Sequence, residues 1–369
     1  MHIQQGAVWP SVPIGAWRVP VAWPSVEPQR GVWDFQRPDG YVAESSQHNN
    51  VELLFSLGYS PRWASSQPDT QTEFSGPGAC APPRNTQDWR DYVKAIGTRY
   101  KGRVRYYEVW NEPTVPFFWC GGKSDLVSLT KVAYEVLKGI DPGNQLVSPS
   151  AVNKHGPAWV EDFLRRGGGN FVDIIGFHFY PSPGSPEGIV EQVKTIRALM
   201  AKYGQATKPL WDTENTWNGS KLDRDTDAAF VARTLLLDRA SGVSRVYWYE
   251  WGNMSIPLLM TENDRKTPTP AGQTFKVMQD WLIGVALESC NSADIPEAWH
   301  VSHAIWNCDL KRGNNTGKIV WNPDGDAAFN VPASWNVDRV RDISGKSSPL
   351  PGTRRITIGM KPLLLDQGK

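Results

Sequence analysis

The chain has 369 residues, and its 39 Lys and Arg against 38 Asp and Glu leave a formal net charge of +1. No stretch concentrates the basic residues, which excludes nucleic acid and anionic membrane surfaces as partners, and no apolar run reaches the roughly 20 residues of a membrane-spanning helix. Eighteen tryptophans stand out; most suit core filling, and those at strand ends also suit the C–H faces of sugar rings.

Short apolar runs alternate with amphipathic helical stretches as far as residue 285, the pattern of parallel strands joined by crossover helices. Eight strands are predicted: His2 to Gln5, Ala16 to Val21, Glu52 to Leu57, Arg105 to Trp110, Gln145 to Ser148, Val172 to Phe179, Pro209 to Thr213 and Arg245 to Tyr249. Helices with readable start or stop signals run from Asp88 to Tyr100, Lys123 to Gly139, Glu187 to Tyr203 and Asp225 to Ser241. This order predicts an α/β fold, a (β/α)8 TIM barrel over residues 1–285 whose active face lies at the carboxyl ends of the strands. After Trp281 come the shorter runs Trp299 to Trp306, Gly317 to Trp321, Val337 to Ile343 and Arg355 to Ile358. They predict a small antiparallel, β-sandwich-like accessory domain over 286–369 that covers a barrel flank.

Cys80, Cys120, Cys290 and Cys308 make no C-x-x-C motif, so no metal site is expected. Two disulfides, Cys80 with Cys120 and Cys290 with Cys308, and four free thiols are both compatible with the spacing. The disulfide alternative implies an oxidising compartment. The chain starts near its first predicted strand without a signal-peptide pattern, so the expectation is a secreted or periplasmic protein whose leader has been removed.

The segment Arg105-Tyr-Tyr-Glu-Val-Trp-Asn-Glu-Pro113 has strand composition, and Pro113 cannot donate a ladder hydrogen bond, so Glu112 falls at the strand's carboxyl end. Alone, the triplet Asn111-Glu112-Pro113 also fits a carboxylate opening a helix. Hydrolysis of a glycosidic bond with retention needs two carboxyl groups about 5 to 5.5 Å apart. The second is offered by Lys208-Pro-Leu-Trp-Asp-Thr-Glu214, with Glu214 at the end of the seventh strand and Trp217, a candidate sugar contact, in the loop beyond. Asp212 shares the face of Glu214 by period 2 and is the rival nucleophile.

On the sixth strand Gly176, His178 and Tyr180 share a face. A Tyr180 hydroxyl donating to Glu214 would hold that carboxylate ionised and aimed, and His178 either orients sugar hydroxyls or is a satisfied structural residue. Arg18, a fixed cation, is expected to lower the pKa of the nucleophile. For Glu112 to start protonated, its pKa must be raised, a task for the apolar neighbours Trp110 and Phe117 and the charge of Glu214. Trp248 and Trp251, flanking Glu250, are candidate floors for the reacting sugar. The long loops from Ser60 to Gln87 and from Thr114 to Asp125 bring Trp63, Phe74, Phe117, Phe118 and Trp119 as candidate walls.

A wider set of motifs accompanies these residues: Trp17-Arg18, Trp23 with Glu27-Pro28 and Gly31-Val-Trp-Asp-Phe35, Leu57-Gly-Tyr-Ser-Pro-Arg-Trp63, Glu108-Val-Trp-Asn-Glu-Pro113, Gly176-Phe-His-Phe-Tyr180 and Thr213-Glu214. In them the chain resembles glycoside hydrolases of clan A, most closely the family 39 type that includes β-xylosidases, iduronidase and bacterial exopolysaccharide hydrolases. The resemblance implies Glu112 as general acid/base, Asn111 as the residue that binds the 2-hydroxyl, Glu214 as nucleophile, and no metal or organic cofactor. Pro20 departs from the pattern, since related chains often carry an acidic residue there, and the link from Pro10 to Gly15 is short for a barrel. The expected substrate is an oligo- or polysaccharide with β-linkages, a bacterial exopolysaccharide among them. The alternatives are an exo-acting β-xylosidase-like enzyme on short oligosaccharides, an inverting hydrolase, and a non-catalytic carbohydrate-binding barrel. The oligomeric state is open, with a monomer favoured.

Overall fold

The computed structural model describes residues 1–72, 76–181, 184–292, 305–313 and 315–368. The barrel strands are β1 (Ala16–Ala22), β2 (Glu52–Gly58), β3 (Tyr106–Val109), β4 (Gln145–Val147), β5 (Ala151–Val152), β6 (Ile175–His178), β7 (Leu210–Asn215) and β8 (Arg245–Trp248). Strands β1 to β4 form one parallel sheet in chain order and β5 to β8 a second. Parallel bridges from Val147 to Ile174 and from Asn111 to Ser150 join the two sheets, so β4 and β5 are two pieces of one stave.

On the opposite seam the predicted first strand, His2 to Gln5, is not a regular strand. It carries a single bridge, Ile3 to Trp251. The His2 N–H donates to Trp248 O and the Trp251 N–H to His2 O, while the Arg18 N–H donates to Met1 O. This segment therefore wedges between β8 and β1 and closes the barrel. Residues 5–15, which lead from it to β1, contain no helix, and that accounts for the short Pro10 to Gly15 link.

Around the staves lie α1 (Trp23–Val26), α2 (Gln36–Gln47), α3 (Thr86–Arg99), α4 (Lys123–Ile140), α5 (Gly156–Arg165), α6 (Gly188–Lys202), α7 (Arg224–Ala240) and α8 (Pro270–Leu282). Helix α3 begins at Asn85, whose side chain accepts from the Gln87 N–H, and it buries Trp89, Tyr92, Val93 and Ile96. Burying each such side chain contributes roughly 1.5–3 kcal/mol. Helix α7 is capped by Asp223, which accepts from the Asp225 and Thr226 N–H groups. Every residue of β7 is buried, as expected of a parallel strand with barrel interior on one side and helices on the other.

The accessory region comprises β9 (Ala286–Ser292), β10 (Trp306–Arg312), β11 (Asn315–Trp321), β12 (Ala327–Asn330), β13 (Arg339–Asp342), β14 (Ser347–Pro349), β15 (Arg355–Ile358) and β16 (Leu363–Asp366). Six of these form an antiparallel sheet in the order β14-β13-β16-β11-β10-β9, and β12 pairs with β15. The predicted run Trp299 to Trp306 lies outside the described residues except for its last two positions. Trp306, Cys308 and Leu310 alternate inward along β10 and meet Leu236 and Leu237 of α7 and Met278 and Trp281 of α8 in one cluster. The strand period of 2 thus delivers an apolar face to the flank of the barrel. Both disulfides are formed, Cys80–Cys120 between the loops after β2 and β3, and Cys290–Cys308 in register across β9 and β10.

Candidate active site

The barrel interior is layered. Its apolar layer gathers Leu54, Val147, Ile174, Trp211 and Tyr247, with Ala16 and Tyr106 packed against it. Two residues further along the strands, three on the stave of Val147, the same face turns polar, with Arg18, Glu108, Ser150 and Thr213, all buried. The Arg18 Nε donates to Glu108 Oε2 at 2.6 Å, Ser150 Oγ to Glu108 Oε1 at 2.6 Å, and Thr213 Oγ1 to Ser150 Oγ at 2.7 Å. Glu108 thus anchors a guanidinium at the floor of the mouth.

From that anchor Arg18 reaches two further residues. Its Nη1 donates to Glu214 Oε2 at 3.0 Å and its Nη2 to Asn111 Oδ1 at 2.8 Å. The second contact fixes the Asn111 amide, leaving Nδ2 as its donor toward a ligand. Trp110 and Glu112 adopt left-handed backbone with φ of 66° and 40°, each at a cost of about 1–3 kcal/mol. The Trp110 N–H donates to Leu57 O, the Glu112 N–H to Ser150 O, and Trp110 Nε1 to Phe118 O. These bonds hold a chain path that breaks strand alternation and turns both Asn111 and Glu112 to the mouth.

His178 Nδ1 lies 2.8 Å from Glu112 Oε1, and the Tyr180 hydroxyl donates to Glu214 Oε1 at 2.7 Å. Burial pulls His178 down, yet the charges of Glu214 and Glu112 outweigh it and its pKa is raised. Burial raises Glu214 above the ordinary carboxylate range, with His178, Arg18 and Tyr180 pulling against it and the Glu112 charge adding to it. Arg18 pulls the Glu214 pKa down as expected, but desolvation is the larger effect and the carboxyl stays raised. Tyr180 keeps its proton, through burial first and then the charges of Glu214 and Glu112.

His178 Nδ1 and one oxygen each of Glu112 and Glu214 lie within 4.8 Å of one another, the one group with metal-ligand spacing found among the described residues. The Arg18 guanidinium beside Glu214 competes with any cation there.

Four predicted sugar contacts are not brought to the mouth. Because Tyr247 faces inward, alternation turns Trp248 outward, where with Trp251 and Trp217 it packs against Met1, Val12 and Phe230. These three tryptophans are 1%, 0% and 7% exposed, which leaves no ring face for a ligand. Trp119, 5% exposed, meets Trp110 edge-on in the core beneath the loop after β3. Trp63 stays half-buried on the rim, its Nε1 donating to Glu27 O and its ring under the Arg30 guanidinium. Phe74 lies outside the described residues.

Asp212 is likewise corrected. The pairing of β7 with β8 shifts register between Asp212 and Asn215, so Asp212 faces α7 while Glu214 turns into the mouth. Two site residues escaped the sequence reading. His2, on the closing segment, bonds Thr213 O through Nε2 at 3.0 Å and is held neutral by burial and Arg18. Tyr249, inward by the same parity as Tyr247, is half-buried with its ring 5.1 Å from that of His2.

The description Glycosyl hydrolases family 39 matches residues 17–264. A β-xylosidase of Geobacillus stearothermophilus is 28% identical over 224 residues, covering 53% of this chain and 44% of the relative. A β-xylosidase of Caldicellulosiruptor saccharolyticus is 28% identical over 305 residues, covering 69% and 60%. The chain thus spans about half the length of these relatives. Among solved structures, a family 39 glycoside hydrolase from Bacteroides cellulosilyticus WH2 superimposes with a TM-score of 0.76 at 20% identity, covering 96% of this chain and 75% of that one. With the family match running from the Trp17-Arg18 pair past both strand-end glutamates, the chain belongs to glycosyl hydrolases family 39.

Proposed function

We propose that this protein is a retaining β-glycosidase that works by double displacement, with Glu214 as nucleophile and Glu112 as general acid/base. The observation that carries this is the approach of the two carboxylates, with oxygens within 4.8 Å of each other. So close an approach of their oxygens favours the carboxyl separation of about 5–5.5 Å of retaining enzymes over the roughly 6.5–9.5 Å that seats a water in inverting ones. Arg18 and Tyr180 hold one Glu214 oxygen each, aiming the carboxylate at the anomeric carbon. Glu112, held by His178, gives its proton to the leaving oxygen and takes one from water in the second step. Asn111 is the donor for the 2-hydroxyl.

The names of both β-xylosidase relatives support β-xylosides as the first substrate class. A bacterial exopolysaccharide is the second, supported by the resemblance alone. The two disulfides favour an oxidising location, secreted or periplasmic.

Aryl β-xylosides, xylo-oligosaccharides and bacterial exopolysaccharides are the panel to test, with the first-formed anomer read by proton NMR. The β-anomer first supports double displacement; the α-anomer first means inversion. Binding to sugars without hydrolysis of any member would make this a carbohydrate-binding barrel.

A further inference from the structure

Phe179 stands between His178 and Tyr180, the partners of Glu112 and Glu214, and β7 grips it at both backbone polar atoms. Its N–H donates to Asp212 Oδ1 at 3.2 Å, and its carbonyl accepts from Asn215 Nδ2 at 3.2 Å. The same Nδ2 donates to Asp212 Oδ2 at 2.5 Å, closing the clamp on itself. Asp212 and Asn215 bracket Glu214 in sequence just as His178 and Tyr180 bracket Phe179. One buried clamp therefore sets how far His178 and Tyr180 stand from the strand that carries Glu214.

Behind the clamp, Asp238 of α7 is 0% exposed, and neither of its carboxyl oxygens receives a hydrogen bond from an N–H or O–H donor among the described residues; the group it faces is the equally buried carboxyl of Asp212. Two carboxylates cannot bond each other, since neither has a proton to donate; the contact requires a proton on one of them. Asp212 already accepts from the Phe179 N–H and Asn215 Nδ2, so it is the better anion and Asp238 is the proton carrier. We propose that Asp238 is a positioning residue, donating its carboxyl proton to Asp212 and thereby holding the clamp that aligns His178 and Tyr180 with Glu214.

Burial first, and then the charge of Asp212, hold Asp238 well above the ordinary carboxylate range. The titratable groups facing the pair are Asp212 on β7, Asp238 on α7 and His178 on β6, with Asn215 as the neutral donor. A raised folded pKa means that the contribution of Asp238 is complete at low pH and is lost as pH rises through the folded value. Ionisation then sets two buried like charges against each other and loosens the clamp.

This inference rests on Glu112 and Glu214 being the reacting pair. Asp238→Asn keeps a donor for Asp212 that does not titrate, and Asp238→Leu removes it. Expected is a kcat for the Asn variant within about threefold of wild type, and for the Leu variant a loss of about 10- to 100-fold at little changed KM, the scale of a small misplacement. The wild type should lose urea stability at alkaline pH, and the Asn variant should lose less. An infrared difference between wild type and the Asn variant should contain a buried protonated carboxyl band. A folded Leu variant with wild-type kcat, an Asn variant as impaired as Leu, or the absence of that band overturns the proposal. If Leu fails to fold, the band and the Asn profile still decide. A wild type that hydrolyses no glycoside defeats the proposed function instead, and the band and alkaline stability then judge the Asp238 proton separately.

Discussion

The hydroxyl of Tyr180 donates to Oε1 of Glu214 across 2.7 Å. It works against burial, which pushes this carboxyl above the ordinary range. Tyr180→Phe removes one of the groups that favour the ionised form, so the Glu214 pKa rises further. A nucleophile must be ionised, so activity disappears as pH falls through that pKa. The acid limb of kcat/KM in Tyr180→Phe should therefore lie at higher pH than in wild type. A bond to a charged group contributes about 1.5–3 kcal/mol, so kcat should fall roughly 10- to 150-fold. A pH–rate profile with an unmoved acid limb would remove this role from Tyr180.

The two glutamates should respond differently to truncation. Glu214→Ala cannot form the covalent intermediate and should lose on the order of 10⁴-fold or more in kcat, and azide should restore turnover as an inverted glycosyl azide. Glu112→Ala should lose about 10²–10⁴-fold on substrates that need acid assistance, little on those with good leaving groups, and should give a glycosyl azide of retained configuration. The configuration of each azide product, read by NMR, decides the assignment. Retained product from Glu214→Ala would reverse the two roles.

Much of this placement was legible because strand ends announce themselves. Pro113 marks the close of the segment whose strand, β3, stops at Val109, the loop after Asn215 ends another, and period 2 puts His178 and Tyr180 on one face. What was not legible depends on parity that residue type does not reveal. In Tyr247-Trp248-Tyr249 either face could be read as inward, since both carry large aromatics; the packing of Tyr247 with Leu54 and Val147 settles it. Along Asp212-Thr213-Glu214 simple alternation misleads, because the register shift before Asn215 separates two acids that would otherwise share a face. The closing segment escaped as a regular strand because it holds its place through a few backbone bonds on each side rather than a continuous ladder.

A buried ion pair ties the accessory sheet to the barrel. Glu187 accepts from Arg233 Nε at 2.7 Å and from Trp321 Nε1 of β11 at 2.9 Å. Burial pushes Glu187 up, but the Arg233 charge and the hydrogen bonds of Arg233, Ser185 and Trp321 win, leaving its pKa lowered. A lowered folded pKa contributes stability above the ordinary glutamate value of 4.5, and that is lost as pH falls through the folded value. Arg233→Met, which strands a buried carboxylate, should cost about 3–5 kcal/mol near neutral pH. Its deficit should shrink in acid, where Glu187 can take up a proton. Trp321→Phe should cost only about 1 kcal/mol. Urea unfolding at neutral and acid pH tests all three, and an Arg233→Met deficit independent of pH would mean that Glu187 does not depend on this pair.

Gly176 makes room for the polar layer beneath Glu112 and Glu214. A Cβ at this position would lie 2.3 Å from Ser150 Oγ and 2.8 Å from Val147 Cγ1. That hydroxyl donates to Glu108, which in turn anchors Arg18. Gly176→Ala must push Ser150 aside, costing about 1–3 kcal/mol in overpacking and about as much again if Glu108 loses its donor. Because Arg18 takes its position from Glu108, kcat should fall together with stability. Adding Ser150→Ala removes the clashing oxygen but not the need of Glu108 for a donor, so the double variant should recover part of the stability and little of the activity. Thermal melts and kcat for the two single variants and the double variant form a cycle with a favourable coupling in stability. If Gly176→Ala melted with wild type and kept its kcat, the barrel would have slack at this layer, and the placement of Arg18 could not depend on the absence of a side chain at residue 176.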